Sequence, residues 1–334
     1  MKIRIATRAS KLAMVQTRQI MAELEAIIPG VEIELVEIIT TGDQIQDRSL
    51  AELGGKGLFI KGLEEALLAG RADIAMHSLK DVPPSLDKEF CIPAVLKRHS
   101  PHDALVSSKY SSIDELPAGA VIGTSSVRRK AALLHMRPDL DIRMVRGNVD
   151  TRLRKLDEGE YDALILAEAG LVRLGLGDRI RERLPLSVCM PSVGQGVIAI
   201  ECLSTREDMI EALKPLNDAE TFARITAERA MNHALKASCT SPVGSFAEIT
   251  ESGLKITGVI WSLDGRHRIQ TEQLGKLEDA ELLGQMAASD LRRQGSADLL
   301  KTPVTDTAPS SHVIYAPDGA GDASAAAFVS PTAK

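Results

Sequence analysis

The stretch that decides the fold is residues 2–39, KIRIATRASKLAMVQTRQIMAELEAIIPGVEIELVEII. Lys2–Ala6 has the pattern of a short strand, and Ser10–Ile28 has the periodicity of a helix that ends at Pro29-Gly30. Val31–Ile39 begins with period-2 alternation and ends in an apolar run, which predicts a second strand. A strand, a helix and a strand in this order predict parallel strands covered by helices.

The same alternation of strands and helices continues along the chain. We predict a helix from about Leu58 to Ala69 and strands at Ala72–Met76, Ala120–Gly123, Asp141–Val145 and Tyr161–Ala167. Val197–Cys202 predicts a strand that returns to the first lobe. The predicted fold class is therefore α/β, with two lobes built on mainly parallel mixed sheets and a small α+β third domain.

The chain is predicted to divide into four segments. Domain 1 comprises 1–96 and 196–216, domain 2 comprises 97–195, and domain 3 comprises 217–303. Charged and proline-bearing stretches at Lys97–Pro101 and Cys189–Val193 are the expected crossings between the first two domains. Residues 304–334 are rich in Ala, Ser, Pro, Gly and Thr, which predicts a disordered tail.

Composition excludes several classes of protein. Of 334 residues, 44% are hydrophobic and 26% are charged, a balance that excludes wholesale disorder. The net charge of −6 argues against a general nucleic-acid binder, and no apolar stretch approaches the ~18 residues of a membrane span. Residues 1–20 lack the apolar core of a secretory signal, and the four cysteines form no C-x-x-C pair. His99-x-x-His102-Asp103 contains ligand-type residues but lies in a proline-bearing connector with no third ligand nearby, so we expect no metal site.

A basic region lies between Val121 and Lys155, where nine Lys or Arg residues accompany only three acids. A solvated helix face explains some of them, namely Arg137, Arg154 and Lys155. Thr124-Ser125-Ser126, however, follows a strand and begins a helix beside Arg128 and Arg129. A helix N-terminus flanked by guanidinium groups suits a carboxylate or a phosphate.

The same arrangement recurs twice. Arg146 precedes a helix that contains Arg152, and Arg8 lies between the first strand and the first helix. Ligands of open α/β sheets bind at the carboxyl ends of strands. The arginines are therefore predicted to converge on a ligand with several carboxylates.

Asp81 lies in His77-Ser78-Leu79-Lys80-Asp81-Val82-Pro83-Pro84, which follows another predicted strand. Pro83 favours an extended Val82, so that Asp81 is presented on a stiff loop. One interpretation is a surface ion pair between Lys80 and Asp81. The other is a carboxylate at the mouth of a cleft that stabilises a developing cation.

Cys239 differs from the other cysteines because it lies in a loop of small residues, Ala237 to Gly244. Cys91, Cys189 and Cys202 lie in or beside apolar runs, where a free cysteine behaves as a small hydrophobe. Cys239 is therefore the candidate reactive thiol.

The residues alone leave two further functions open. A non-enzymatic binding protein with a cleft for a polycarboxylate or phosphate would explain the arginines and the helix termini, but not the loop cysteine. A nucleic-acid-binding protein that uses Arg128-Arg129-Lys130 conflicts with the −6 charge and with the 3% content of aromatic residues.

Seven motifs, in order along the chain, resemble those of the porphobilinogen deaminase family. They are Ile5-Ala6-Thr7-Arg8, Gly54-Gly55-Lys56-Gly57-Leu58-Phe59, His77 to Pro83, Gly123 to Arg129, Arg146 to Arg152, Gly194-Gln195-Gly196, and Cys239-x-x-Pro242-x-Gly244-Ser245. The hairpin and helix region to about residue 303 suits the third domain of that family.

The resemblance implies two lobes like those of periplasmic binding proteins, a third domain, and a dipyrromethane cofactor joined by a thioether to Cys239. It implies a transferase that joins four porphobilinogens head to tail into linear hydroxymethylbilane, with release of ammonia, in tetrapyrrole and haem biosynthesis. It also implies a cytoplasmic monomer that binds neither nucleic acid nor a membrane. Each ring of the substrate carries an acetate and a propionate, so the growing chain accumulates the negative charge that the arginines are suited to bind.

The resemblance also implies a role for individual residues. Asp81 is expected to be the catalytic carboxylate, which stabilises positive charge at the pyrrole nitrogens, and Cys239 is expected to be the covalent anchor. The expected cofactor-binding residues are Lys80, Asp81, Thr124, Ser125, Ser126, Arg128, Arg129 and Arg146. The expected substrate-binding residues are Arg8, Ser10, Lys56, Ser78, Arg146 and Arg152.

Overall fold

The computed structural model describes residues 1–40, 59–238 and 240–301. The strands in these ranges are β1 (Lys2–Arg8), β2 (Glu32–Ile38), β3 (Ile74–Ser78), β4 (Phe90–Val95), β5 (Asp103–Val106), β6 (Val121–Gly123), β7 (Asp141–Arg143), β8 (Ala163–Ala167), β9 (Ile180–Arg183), β10 (Ile198–Leu203), β11 (Val243–Thr250), β12 (Gly253–Trp261) and β13 (Arg268–Gly275). The helices are α1 (Lys11–Ile27), α2 (Lys61–Leu68), α3 (Val127–Met136), α4 (Val149–Asp157), α5 (Glu168–Arg173), α6 (Glu207–Leu213), α7 (Ala219–Leu235), α8 (Ala280–Arg293) and α9 (Ser296–Lys301).

The first sheet has the strand order β2-β1-β3-β10-β4. β1 is parallel to β2 and β3, whereas β10 is antiparallel to both of its neighbours. On one face, Ile20 and Leu24 of α1 pack with Ile3 of β1, and on the other face Leu63 of α2 packs with Ala6. This sheet with α1, α2 and α6 is called the first lobe below.

The second sheet has the order β7-β6-β8-β5-β9, with β6 parallel to β7 and β8 and with β5 antiparallel to β8 and β9. Leu133 of α3 belongs to the core on one face, and Leu153 of α4 and Leu171 of α5 belong to the core on the other. This sheet with α3, α4 and α5 is called the second lobe.

Two segments join the lobes: the first crossing, 96–102, and the second crossing, 184–197. Each crossing leads into the antiparallel strand of the sheet that it enters, β5 in the second sheet and β10 in the first. The first residue of each strand pairs with the last residue of a parallel strand: Asp103 of β5 with Ala167, and Ile198 of β10 with Ser78. Both crossings therefore run along the carboxyl ends of the parallel strands. Gly196 allows the two crossings to touch, since at its φ of +89° a Cβ would lie 2.7 Å from the carbonyl oxygen of His99.

The third module is the antiparallel sheet β11-β12-β13 with α7, α8 and α9. Met231 of α7 and Leu291 of α8 pack with Ile256 and Ile260 in one core. Trp261 is 1% exposed and packs instead into the core of the second lobe, which fixes the module against that lobe.

The structure confirms the predicted fold class, including mainly parallel mixed sheets, because four of the five strands in each large sheet share one direction. The strand predicted at Val197–Cys202 is β10, which does return to the first sheet. The strands β4, β5 and β9 and the helices α5 and α6 were not predicted. The domain boundaries stay predictions, and the predicted tail lies outside the described residues. Among the described helices, none has the length and apolar character needed to cross a membrane.

Candidate functional site

Asp81 lies directly beyond the carboxyl end of β3. Residues Leu79–Asp81 form a single 3₁₀ turn, and the buried Leu79 donates its N–H to the Val197 carbonyl of the second crossing at 3.0 Å. The Asp81 side chain is exposed and makes no hydrogen bond or ion pair within the described part of the chain. The turn therefore presents a carboxylate at the edge where the two lobes meet.

The N-terminus of α3 lies in the second lobe, directly after β6. Ser126 is its N-cap, and its Oγ accepts the Arg129 N–H at 3.4 Å. Thr124 is buried and accepts the Ser126 N–H at 3.2 Å, whereas Ser125 is exposed. The serine and threonine motif thus builds the helix terminus that the sequence predicted.

Arg128 and Arg129 are buried in the second lobe, with 4% and 6% of their surface exposed. Both bind Asp103, whose Oδ2 lies 2.8 Å from Arg128 Nη2 and whose Oδ1 lies 2.7 Å from Arg129 Nη2. The sequence predicts a ligand-binding role for these arginines, but not their ion pairs with Asp103. Asp103 was not predicted, because no local pattern links it to partners 25 residues or more away.

Four cations and one carboxylate converge from the two lobes. Burial lowers the pKa of Arg152 to about 10, with Arg129 and Arg146 lowering it further and Asp81 opposing them. Desolvation also lowers the pKa of Lys80, and here Asp81 opposes while Arg129 and Arg152 contribute. Since Lys80 of the first lobe and Arg152 of the second both sense Asp81 and Arg129, these groups of the two lobes share one cleft.

A small cavity lies between the lobes beside this cluster, lined among others by Gln16, Ser78, Lys80, Ala167, Arg173 and Gly196. Ser78 Oγ donates to Gln16 Oε1 at 3.0 Å, and Arg173 Nη2 donates to the Gly196 carbonyl at 2.9 Å. Burial lowers the pKa of Arg173 to about 10. Gln16 and Arg173 were missed, because each stands alone in an otherwise ordinary helix.

The remaining predicted residues are more dispersed. Arg8 stacks on the Phe59 ring, with its guanidinium carbon 4.2 Å from the ring centroid, and Ser10 caps α1 by accepting the Ala13 N–H at 3.3 Å. Lys56 and Cys239 lie outside the described residues.

The residues on either side of position 239 form a turn between α7 and β11. The Ser238 and Thr240 hydroxyls are 2.8 Å apart, and the Ser241 N–H donates to the Ser238 carbonyl at 3.0 Å. At Gly244, a Cβ would lie 2.6 Å from the Met190 carbonyl oxygen, so the start of β11 is packed tightly against the second crossing.

The donors in the cleft fit a ligand that carries several carboxylates. Lys80, Arg129, Arg146 and Arg152 supply only cationic donors, and the buried Nε of Arg146 has no hydrogen-bond partner among the described residues. A dipyrromethane bears four carboxylates, two on each ring, and so matches this donor set. The Asp81 carboxylate complements pyrrole N–H groups in the same way.

The fold and the cleft define a class of protein with two α/β lobes, cationic side chains in the cleft between them, and a third module packed against the second lobe. Residues 3–211 match the family model for the dipyrromethane cofactor binding domain of porphobilinogen deaminase, and residues 222–293 match the model for its C-terminal domain. The chain belongs to the porphobilinogen deaminase family. It condenses porphobilinogen into linear hydroxymethylbilane in tetrapyrrole biosynthesis, and its cofactor is dipyrromethane.

Several solved structures of bacterial proteins are similar to this chain. A YaeC-family lipoprotein from Enterococcus faecalis is 15% identical, with a TM-score of 0.42 over 66% of this chain and 94% of that chain. A nutrient binding protein from Burkholderia cenocepacia bound to methionine is 15% identical, with a TM-score of 0.40 over 63% and 89%. The VFT2 domain of BvgS from Bordetella pertussis is 13% identical, with a TM-score of 0.39 over 64% and 85%.

Proposed function

We propose that Asp81 is the catalytic carboxylate of this porphobilinogen deaminase and that Cys239 anchors its dipyrromethane cofactor through a thioether. The observation that carries the assignment is that Lys80 of the first lobe and Arg152 of the second both lie within the field of the Asp81 carboxylate. A lone exposed carboxylate surrounded by cations is poorly explained as a surface ion pair, since it forms no ion pair within the described residues.

Asp81 acts by holding a negative charge next to the nitrogen of the reacting pyrrole ring. Loss of ammonia from porphobilinogen leaves positive charge on that ring, and a carboxylate fixed beside it stabilises the charge as it develops. Preorganised groups of this kind contribute about 3–4 kcal/mol to the transition state. The 3₁₀ turn that carries Asp81 limits its movement, because Leu79 is buried and bonded to the second crossing.

The cations bind the carboxylates of the cofactor and of the substrate. Lys80, Arg128, Arg129 and Arg146, with the α3 terminus at Thr124, Ser125 and Ser126, hold the cofactor. Arg8, Ser10, Lys56, Ser78, Arg146 and Arg152 hold the substrate. When bound, dipyrromethane supplies the primer on which the product chain is built. The residues of this chain orient it and neutralise its carboxylates.

The anchor requires a thiol for a chemical reason. A cysteine sulfur is a far stronger nucleophile than a hydroxyl oxygen at neutral pH, and it forms a C–S bond that survives successive rounds of reaction. On either side of position 239, the Ser238 hydroxyl lies 2.8 Å from that of Thr240, and the Ser241 N–H donates to the Ser238 carbonyl. The enzyme acts in this proposal as a cytoplasmic monomer with porphobilinogen as its substrate, and water releases the linear product.

Intact mass spectrometry of the purified protein tests the anchor. We expect an excess mass equal to two deaminated porphobilinogen units, absent from Cys239→Ser and retained in Cys91→Ser, whose thiol lies in the first sheet. A bare wild-type chain is first incubated with porphobilinogen, because apoprotein can be purified. A wild-type protein that still gains no mass, or a Cys239→Ser variant that gains it, would contradict the proposal.

A further inference from the structure

One buried carboxylate, Asp103, organises the arginine pair of the second lobe. Its side chain is 0% exposed, and it receives hydrogen bonds or ion pairs from Arg128, Arg129, Gln195 and Cys189. We propose that Asp103 is a positioning residue for the porphobilinogen deaminase reaction, which fixes Arg128 and Arg129 at the cleft and ties them to both crossings. The proposal rests on the assignment of these two arginines to the cofactor site.

Asp103 fixes the orientation of the Arg129 guanidinium in addition to balancing part of its charge. Its Oδ1 accepts from both Nε and Nη2 of Arg129, at 3.0 Å and 2.7 Å, while Arg129 Nη1 donates to the Ile165 carbonyl at 3.1 Å. All three guanidinium nitrogens of Arg129 are thus bound. The plane of Arg129 is set before any ligand arrives, so ligand binding needs no further ordering of this side chain.

Arg128 is fixed through the second crossing. Its Nη2 pairs with Asp103 Oδ2 at 2.8 Å, and its Nη1 donates to the Met190 carbonyl at 2.5 Å. The Cys189 thiol donates to Asp103 Oδ2 at 3.1 Å. Burial and the Asp103 charge raise the pKa of this thiol to about 12, which keeps it protonated as a donor.

Gln195 connects the same carboxylate to both crossings. Its Nε2 donates to Asp103 Oδ1 at 2.9 Å and to the Pro101 carbonyl at 2.6 Å. Pro101 belongs to the first crossing and Gln195 to the second. Through Asp103 and Gln195, the arginine pair is therefore bonded to the segments that join the lobes. The turn that carries Asp81 is bonded to the second of these segments as well.

The cluster of Asp103, Arg128 and Arg129 remains positively charged. Asp103 therefore positions the two arginines without cancelling their charge. Two guanidinium groups share one carboxylate, so the cluster keeps one net positive charge. Arg129 lowers the pKa of both Lys80 and Arg152, and at Lys80 the charge of Asp103 opposes it.

The chain offers a matched control in the first lobe. Asp73 is also buried, at 7% exposure, and also binds two arginines, with Arg4 Nη2 and Arg206 Nη1 both 3.0 Å from its Oδ1. It precedes β3, however, and so lies at the end of the first sheet opposite to Asp81. Asp73→Asn removes the same charge from the same kind of cluster, away from the cleft.

The test compares Asp103→Asn with Asp73→Asn. Apoproteins are incubated with porphobilinogen, cofactor uptake is followed by intact mass, and folding is checked by thermal unfolding. We expect both variants to melt at lower temperature, but only Asp103→Asn to take up the cofactor more slowly, by about tenfold or more. In a background that carries both Arg128→Gln and Arg129→Gln, Asp103→Asn is expected to change uptake by less than about twofold, since a positioning residue acts through the residues it positions.

A second variant covers the case in which Asp103→Asn does not fold. Gln195→Met keeps the size of the side chain and the charge of the cluster, but removes the donor to Asp103 and Pro101. We expect slower uptake by about threefold or more. Uptake at the wild-type rate in Gln195→Met and, where it folds, in Asp103→Asn would overturn the inference, as would an effect of Asp103→Asn that simply multiplies with the effect of replacing both Arg128 and Arg129 by Gln. Failure of the wild-type protein to take up cofactor would instead contradict the proposed function.

Discussion

The two lobes share one strand order, but the carboxyl ends of their sheets present different charged groups to the cleft. In the first lobe the turn after β3 carries Lys80 and ends in the exposed Asp81, while in the second lobe α3 and α4 begin beside Arg129, Arg146 and Arg152. The same topology therefore supports a carboxylate with a lysine beside it on one side of the cleft and a group of arginines on the other. The difference shows that the fold sets where a ligand binds, whereas a few residues at the strand ends set what each lobe does with it.

If the lobes divide the work in this way, a substitution of Asp81 in the first lobe should have the largest effect on turnover. Asp81→Asn is expected to lower turnover about 10²–10³-fold, because the variant loses the charge that stabilises the reacting ring. Fold and cofactor content are expected to be unchanged, since Asp81 has no ion pair within the described residues. Steady-state kinetics with intact mass on the same sample measure both quantities.

Asp87→Asn is the control for Asp81→Asn. Asp87 is exposed and lies in the segment between Asp81 and β4. Near-normal turnover in Asp81→Asn, or an equal loss in Asp87→Asn, would remove the catalytic role from the first lobe.

A cation of the second lobe should affect binding more than turnover. Arg152→Gln is expected to raise KM for porphobilinogen by about tenfold with a smaller change in kcat, because several neighbouring cations share the carboxylates. The pKa of Arg152 is lowered to about 10, so its charge is complete at neutral pH and is lost as the pH rises through about 10. The KM of the wild-type protein should therefore increase toward that pH.

Arg154→Gln controls for the loss of a charge on α4. Arg154 is exposed and pairs with Glu158 at 2.8 Å on the same helix. A kcat loss in Arg152→Gln as large as that in Asp81→Asn would show that the lobes are not divided between chemistry and binding.

A substitution of Asp73, at the opposite end of the first sheet, should lower the stability of the fold without changing turnover. Burial favours a raised pKa at Asp73, but hydrogen bonds from Arg4 and Arg206 outweigh it and lower the pKa to about 2. The carboxylate therefore contributes stability that is complete above its unfolded pKa of about 3.9 and is lost as the pH falls toward 2. Melting temperatures measured from pH 6 to pH 2 should fall more steeply for wild type than for Asp73→Asn. Parallel curves would contradict this expectation.

The smallest effect is expected where the lobes touch at their surfaces. Lys11 of α1 and Asp150 of α4 form an ion pair at 2.7 Å, with 78% and 45% of their side chains exposed. Lys11→Gln should change the free energy of unfolding by less than about 1 kcal/mol, and by less still in high salt. Lys61→Gln, which removes a pair within α2, is the control for urea unfolding at both salt concentrations. A change above about 2 kcal/mol would mean that this pair closes the cleft.

Local patterns predicted the parts of the site that depend on neighbouring residues. Ser126 caps α3 and Asp81 occupies a turn after a strand, because capping and proline restriction act over three or four residues. Asp103, Gln195 and Arg173 were not predicted, because their partners are distant along the chain. The strand β5 is four residues long and belongs to the sheet only through β8 and β9, so its own sequence carries little signal.

The reversed strand at the fourth position of each sheet has a consequence for synthesis of the protein on the ribosome. All five strands of the second sheet have been made once residue 183 is added, so that lobe can close as it emerges. The first sheet lacks the strand between β3 and β4 until residues 198–203 follow. The lobe that is translated first is therefore the one that completes its sheet second.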